Sequence, residues 1–447
     1  MTEVADVLSC VLPALAMGLG WGIRGQFGHQ SGAMVPGAMV GLALALTGAR
    51  EMSPAEAVRL GAVGALACSV GGLMTYGQTL GLVHGIPRSP TYWWGLLGTT
   101  VKGSVWIGLT GAFLGMAGGG VEYRLFELLL LVVGLAILTA AGIRLVNRPH
   151  DPPRALPKIY FSKASDPKPR PEYWGGLWFA LLGLLAYLAF VRSDRFAVGL
   201  SLFGIVGGGI GFSVGEMLQA WGIHARPFGE KAQRWMDWWK VMEVTFGAVA
   251  GLSLGLGWRL LEPGAESMLA QKPALPMAWE AAMIAVWMLW LAPAEGGWQA
   301  GRNLWRAPFA VLLLPFIGVF FGAVTPAFVL LPMLTWVSGD NVVAQWSRHE
   351  NLVSPVVAWC GLAALTALTG WLAWRWAVVP VEASAWLVAT AWIQTALTVL
   401  FVLGRRAVIY PDKPGVLNRL AALGAGLTVE VIFVIMAVLL TAFLTIR

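Results

Sequence analysis

The stretch that decides the fold runs Gly18-Leu-Gly20-Trp-Gly22-Ile-Arg24-Gly25-Gln26-Phe27-Gly28-His29-Gln30-Ser31-Gly32-Ala-Met34. Glycines and polar side chains (Arg24, Gln26, His29, Gln30, Ser31) stand here between two apolar segments, 8–23 and 32–49. In hydrocarbon an unpaired backbone N–H or C=O is costly, so irregular backbone survives only where protein or water covers it. The stretch therefore predicts a broken or re-entrant helix inside a membrane protein. An arginine and a histidine at such a break mark a candidate site.

Working outward, the whole chain carries the same signature. It is 57% hydrophobic and 12% charged, where soluble domains hold roughly 25% charged residues. Apolar segments fall at 8–23, 32–49, 57–84, 92–118, 126–145, 173–191, 195–221, 237–261, 279–294, 308–337, 354–378, 383–404 and 420–446. Most reach the ~20 residues that cross a bilayer. The expected class is an all-α polytopic integral membrane protein with about 12–14 transmembrane helices. The count depends on 308–337, which Pro315, Pro326 and Pro332 interrupt.

The division expected from composition is an N-terminal bundle (1–145), a basic proline-rich linker (146–172) and a C-terminal bundle (173–447). The linker holds seven prolines and the bases Arg148, Arg154, Lys158, Lys163, Lys168 and Arg170. A segment of this kind reads as solvated, and its charge places it in the cytoplasm. The loops at Arg88, Arg226–Arg234 and Arg302–Arg306 then share that side. The expected location is the bacterial cytoplasmic membrane. The net charge of +7 follows from such loops and implies no nucleic-acid partner. The expected partners are the lipid bilayer and a small polar or anionic solute.

A faint internal repeat suggests a duplicated helix bundle. Thr75-Tyr-Gly-Gln78-Thr-Leu80 resembles Ser213-Val-Gly-Glu216-Met-Leu218, and Gly111-Ala-Phe-Leu-Gly115 resembles Gly251-Leu-Ser-Leu-Gly255.

Five constellations carry chemistry. In the broken helix, Arg24, Gln26 and His29 could hold an anionic or hydroxyl-rich solute, with His29 relaying a proton; otherwise Arg24 is an anchor and the glycines serve helix packing. Gln78 and His84 match Glu216 and Gln219 in the repeat. Glu216 lies inside an apolar helix, so it is protonated, paired or facing water; its candidate partners are Lys240, Arg24 and Lys102. Asp237, Lys240 and Glu243 recur every three residues, as in an interfacial seam. Glu295, Gln299, Arg302 and Arg306 form a polar stripe in which Arg302 could clamp an anion. Gln394 and Glu430 are isolated in the last spans, and Glu430 is a second candidate for proton coupling beside Glu216.

Several matches are set aside. Gly20-x-Gly22-x-x-Gly25 fits the dinucleotide fingerprint, but no acid follows ~20 residues on. Gly251-x-Ser253-x-Gly255 fits a nucleophile elbow, but lies in mid-span. Cys10, Cys68 and Cys360 form no metal or disulfide pattern, and no cofactor is expected. Of the 24 tryptophans, most are expected at the headgroup level. The best reading is a secondary carrier for a small polar or anionic solute, coupled to protons. In it Arg24, Gln26, His29, Gln78, Lys102, Lys240 and Arg302 bind the solute, and Glu216 and Glu430 carry protons. The alternatives are a membrane enzyme acting on a lipid-linked or acyl substrate, with His29 and Glu216 as acid–base pair, and a structural or assembly subunit.

Overall fold

The computed structural model describes residues 3–48, 51–74, 76–85, 87–147, 159–162, 172–229, 236–261, 330–347, 355–378, 382–409 and 427–446. The chain is an all-α polytopic membrane protein. Eight of the described helices are long and apolar enough to cross a membrane, and no strand occurs among the described residues. The segment 279–294, Arg302 and most of 308–337 lie outside those residues.

Helix α1 (Glu3–Arg24) ends in a 3-10 turn, Gly25–Phe27, and α2 (Gln30–Thr47) starts just beyond it. Gly28 turns the chain between them at φ +84°, a conformation costly for any residue with a Cβ. The return is tight. A Cβ on Gly20 would sit 2.5 Å from the Cα of Pro36, and one on Gly32 would fall on the carbonyl oxygen of Arg24. The glycine-rich junction is thus the tip of a helical hairpin.

Helix α3 (Pro54–Gly71) begins with a capping box. Ser53 Oγ accepts from Glu56 N at 3.3 Å, and the Glu56 carboxylate accepts from Ser53 N at 2.8 Å. The apolar run 57–84 is not one span. It breaks after Gly71, where Gly72 lies against the His29 carbonyl, and a short α4 (Gly77–Val83) follows.

Helix α5 (Pro90–Gly118) is followed by α6 (Leu125–Gly142, ending in a π turn, Ile143–Asn147), α7 (Trp174–Ala186, also ending in a π turn), α8 (Arg195–Ala225) and α9 (Trp238–Leu261). Beyond residue 329 come α10 (Leu330–Ser347), α11 (Pro355–Val378), α12 (Ala383–Ile409) and α13 (Leu427–Thr445). Helix α10 runs past the expected end at 337, and within this extension Ser338 donates a hydrogen bond of 2.6 Å to the buried Gln394 amide oxygen on α12.

Helices whose lipid and protein surroundings are equally apolar associate through close packing, which small residues permit. The α5–α8 seam is built that way. A Cβ on Gly103 would fall on the Gly208 carbonyl and one on Gly208 on the Gly103 carbonyl, while Gly204, Gly111 and Gly115 meet opposing backbone further along. Gly37 and Gly64 do the same between α2 and α3, and Gly251 meets the Pro13 carbonyl between α9 and α1. The α5–α8 and α1–α9 contacts join chain on either side of residues 146–172, so packing does not divide at the linker. The repeat pairs fall in unlike settings: Tyr76–Leu80 opens the short α4 and 213–218 lies well inside α8, and Gly111–Gly115 faces α8 where Gly251–Gly255 faces α1.

The linker is not solvated throughout. Phe161, Ser162 and Glu172 are buried. The Trp94 indole donates to the Tyr160 carbonyl at 2.9 Å. Two apolar grooves face outward. One of about 660 Å³ lies between α6 and α7, and one of about 270 Å³ among α10, α11 and α12.

Candidate functional site

The hairpin tip places Arg24 at the end of α1, only 1% exposed. Gly25, Gly28 and His29 beside it are exposed, so the guanidinium lies just beneath the surface at that end of the bundle. Its Nη1 donates to the His29 carbonyl at 3.3 Å. The His29 backbone, rather than its imidazole, makes this contact. The guanidinium carbon lies 4.6 Å from the Trp21 ring centroid, 5.0 Å from Tyr76 and 5.4 Å from Trp106. An aromatic cage of this kind attracts a cation by the quadrupole of each ring.

Helix α9 supplies the rest. Lys240 and Glu243, one turn apart, point at the hairpin tip, both buried. Lys240 Nζ lies 2.5 Å from one Glu243 oxygen. The other accepts from Trp239 Nε1 at 3.1 Å and from the Tyr76 hydroxyl at 3.5 Å, and lies 3.9 Å from Arg24 Nε. Gly25 makes room for this: a Cβ there would sit 2.8 Å from both Lys240 Nζ and a Glu243 oxygen. The expected seam Asp237–Lys240–Glu243 is therefore not interfacial. Asp237 alone is half-buried, accepting from the Lys240 backbone N–H at 3.2 Å. Among the described residues, two cations face one carboxylate in this buried cluster.

A second cluster joins α4 and α8. Glu216, fully buried, has His84 Nε2 3.0 Å from its Oε1, close enough for an ion pair but off the line of a hydrogen bond. His84 is 25% exposed. Buried Gln219 lies one turn beyond Glu216 on α8. Near the middle of the same helix, the Ser213 and Thr100 hydroxyls are 2.6 Å apart. The partner of Glu216 is thus His84, not Lys240, Arg24 or Lys102. A His29–Glu216 acid–base pair is not formed.

Lys102 belongs to a third cluster. Its ammonium donates to Thr79 Oγ1 at 2.8 Å and to Glu172 at 3.3 Å. Glu172 also accepts from the Ser162 hydroxyl (2.6 Å), Trp174 Nε1 (2.7 Å) and Phe161 N (3.3 Å). These bonds clasp the linker to α4 and α5.

Of the remaining candidates, Gln26 is half-buried in the 3-10 turn and Gln78 half-buried in α4. Glu430 lies in α13, and its side chain is outside the described residues. Ser253 of the apparent nucleophile elbow donates to the Phe203 carbonyl at 2.7 Å within the helix packing. Among the described residues no group of three metal-ligating side chains occurs. Sequence reasoning missed Glu243, Tyr76, Trp21 and Trp106 as members of the Arg24 cluster. The three-residue spacing of Lys240 and Glu243 was the available signal. No protein-family model, curated protein or solved structure matches this chain.

Proposed function

We propose that the protein is a secondary carrier for a small polar or anionic solute. Arg24 and Lys240 are its solute-binding cations, and the His84–Glu216 pair exchanges protons with solution. The supporting observation is the charge balance at the hairpin tip. A buried charge is tolerated when it is paired and hydrogen-bonded. Here, among the described residues, Arg24 and Lys240 share the carboxylate of Glu243. An incoming anion completes the balance, and the exposed glycines beside Arg24 give it a route. The partly exposed His84 beside a fully buried carboxylate suits a proton that enters from water. Lys102 is not part of this machinery, because its carboxylate partner Glu172, unlike Glu243, is not shared with a second cation among the described residues.

Both clusters lie at the same end of the bundle as the linker, to which α4 and α5 are tied. The loops carrying Arg88 and Arg226 also lie there. Basic residues mark the cytoplasmic side, so the solute site opens to the cytoplasm, and a bacterial cytoplasmic membrane is the natural location.

The test is flux in sealed proteoliposomes loaded with a pH-sensitive dye. A panel of small anions is added outside, and each is recovered and checked for chemical change. At least one should change the internal pH, emerge intact and lose its effect in Arg24→Gln. Flux that persists in that variant, or conversion of the solute in detergent, would defeat the carrier reading.

A further inference from the structure

The geometry points to a monocarboxylate as the solute, recognised through the Nε–Nη2 edge of Arg24; the inference rests on the carrier reading, which makes Arg24 a binding cation. A guanidinium presents its N–H groups in a fixed planar fork. In Arg24 the Nη1 group is committed to the His29 carbonyl. Nε and Nη2 are buried and have no hydrogen-bond partner among the described residues. These two nitrogens share one edge of the fork. Their parallel N–H bonds match the two oxygens of a carboxylate. A halide, being a single sphere, cannot take both in that geometry.

Glu243 does not fill the edge. It lies 3.9 Å from Nε, beyond hydrogen-bond reach. Lys240, Trp239 and Tyr76 hold its oxygens where they are. The rings of Trp21, Tyr76 and Trp106 fix the guanidinium, so the edge is oriented before a ligand arrives, which lowers the cost of binding. The Trp21 indole N–H is likewise buried, without a hydrogen-bond partner among the described residues.

Charge narrows the class. Among the buried groups of the described residues, Arg24 and Lys240 against Glu243 leave a surplus of one positive charge, which one negative charge neutralises. A dianion such as sulfate would bring a second, uncompensated charge into a buried place. The aromatic walls favour an acid with an apolar or aromatic body.

The experiment measures thermal unfolding of the purified full-length protein in detergent, at fixed ionic strength. The probes are benzoate, its neutral isostere benzamide, chloride and sulfate. A ligand that binds the folded state raises the midpoint with concentration. Benzoate should raise it, while benzamide, chloride and sulfate should not. Arg24→Lys keeps the charge but loses the fork, and should weaken benzoate by about tenfold to a hundredfold. Glu243→Gln raises the surplus by one charge and removes the internal competitor. It should bind benzoate more tightly and become responsive to sulfate, which decides the matter if Arg24→Lys does not fold.

The inference is overturned if benzoate acts no better than benzamide or chloride, if Arg24→Lys keeps its benzoate affinity, or if Glu243→Gln leaves anion selectivity unchanged. The vesicle assay judges the carrier reading separately. Arg24-dependent flux confined to chloride or sulfate would sink the carboxylate and leave the carrier. Benzoate that stabilises the protein in an Arg24-dependent way while no anion crosses would do the reverse.

Discussion

Replacing Lys102 by methionine separates a structural clasp from a solute-binding lysine. In the wild type the ammonium bonds Thr79 and Glu172, and both charged groups are almost wholly buried. Methionine keeps the apolar stem and removes the charge, leaving the Glu172 carboxylate without its cation. Breaking a buried pair in this way costs about 3–5 kcal/mol. Glu172 keeps its bonds from Ser162, Trp174 and the Phe161 backbone, so the loss should lie near the lower end, at about 3 kcal/mol. Glu172→Gln alone should also destabilise, because it removes the carboxylate charge facing the ammonium. The double variant removes both charges and should lose less than the sum, with a coupling of about 2 kcal/mol. The assay is the folded fraction of each variant in mixed micelles of rising dodecyl sulfate content. Losses that add to within about 0.5 kcal/mol would refute the clasp. So would a Lys102→Met protein of unchanged stability that has lost all flux.

Two further outcomes follow from the loops and turns. Gly28→Ala should cost about 1–3 kcal/mol, because its φ of +84° with ψ of −174° is a region essentially reserved for glycine while nothing lies within 4 Å of the added Cβ; the same micelle titration measures this. Gly25→Ala pushes on Lys240 and Glu243 instead, and should reduce anion flux by about tenfold to a hundredfold, since small displacements of positioning groups have effects of that size. Tyr123 lies between α5 and α6, buried, its hydroxyl donating to Asp194 at 2.6 Å. Burial first, and the Asp194 carboxylate second, push its phenol above the ordinary tyrosine value. The folded state therefore holds the phenolic proton more tightly than the unfolded chain. This contribution to stability is complete below about pH 10, the unfolded value, and is lost as pH rises beyond it. An alkaline stability profile should show that decline in the wild type and a shallower one in Tyr123→Phe.

The class of fold was legible because it depends on composition and run length, which need no partner to be read. The hairpin was legible for a related reason: the glycines at 18–32 and the polar run between them specify local backbone. The ion pairs were not. Which carboxylate meets Arg24 depends on which helix lies beside α1 and how it is rotated, and helices buried on several sides carry no single apolar stripe to report that. Glu243 was visible one turn from Lys240, yet nothing in the run from Trp235 says that this face meets a helix instead of headgroups. Glu172 was hidden differently. It sits among prolines and bases that read as solvated chain, and its burial is made tolerable by the Lys102 ammonium on a distant helix together with the Ser162 hydroxyl, the Trp174 indole and the Phe161 backbone. The repeat failed as a guide because glycine spacing records close packing without recording the neighbour.

The backbone-to-backbone seam between α5 and α8 has a mechanical corollary. Sliding one helix along the other would drive the Gly103, Gly208, Ile107 and Leu200 carbonyl oxygens into the facing glycines, and backbone, unlike a side chain, cannot change rotamer and yield. The pair can translate or tilt only as a single beam. The α6–α7 hairpin meets that beam through longer groups, among them the Trp178 indole on the Val101 carbonyl at 3.1 Å and Leu181 over Gly108. Shear is therefore affordable there and forbidden in the seam. On the carrier reading proposed above, the stroke moves whole slabs past one another, with α5 and α8 on the stationary side of the joint or travelling together.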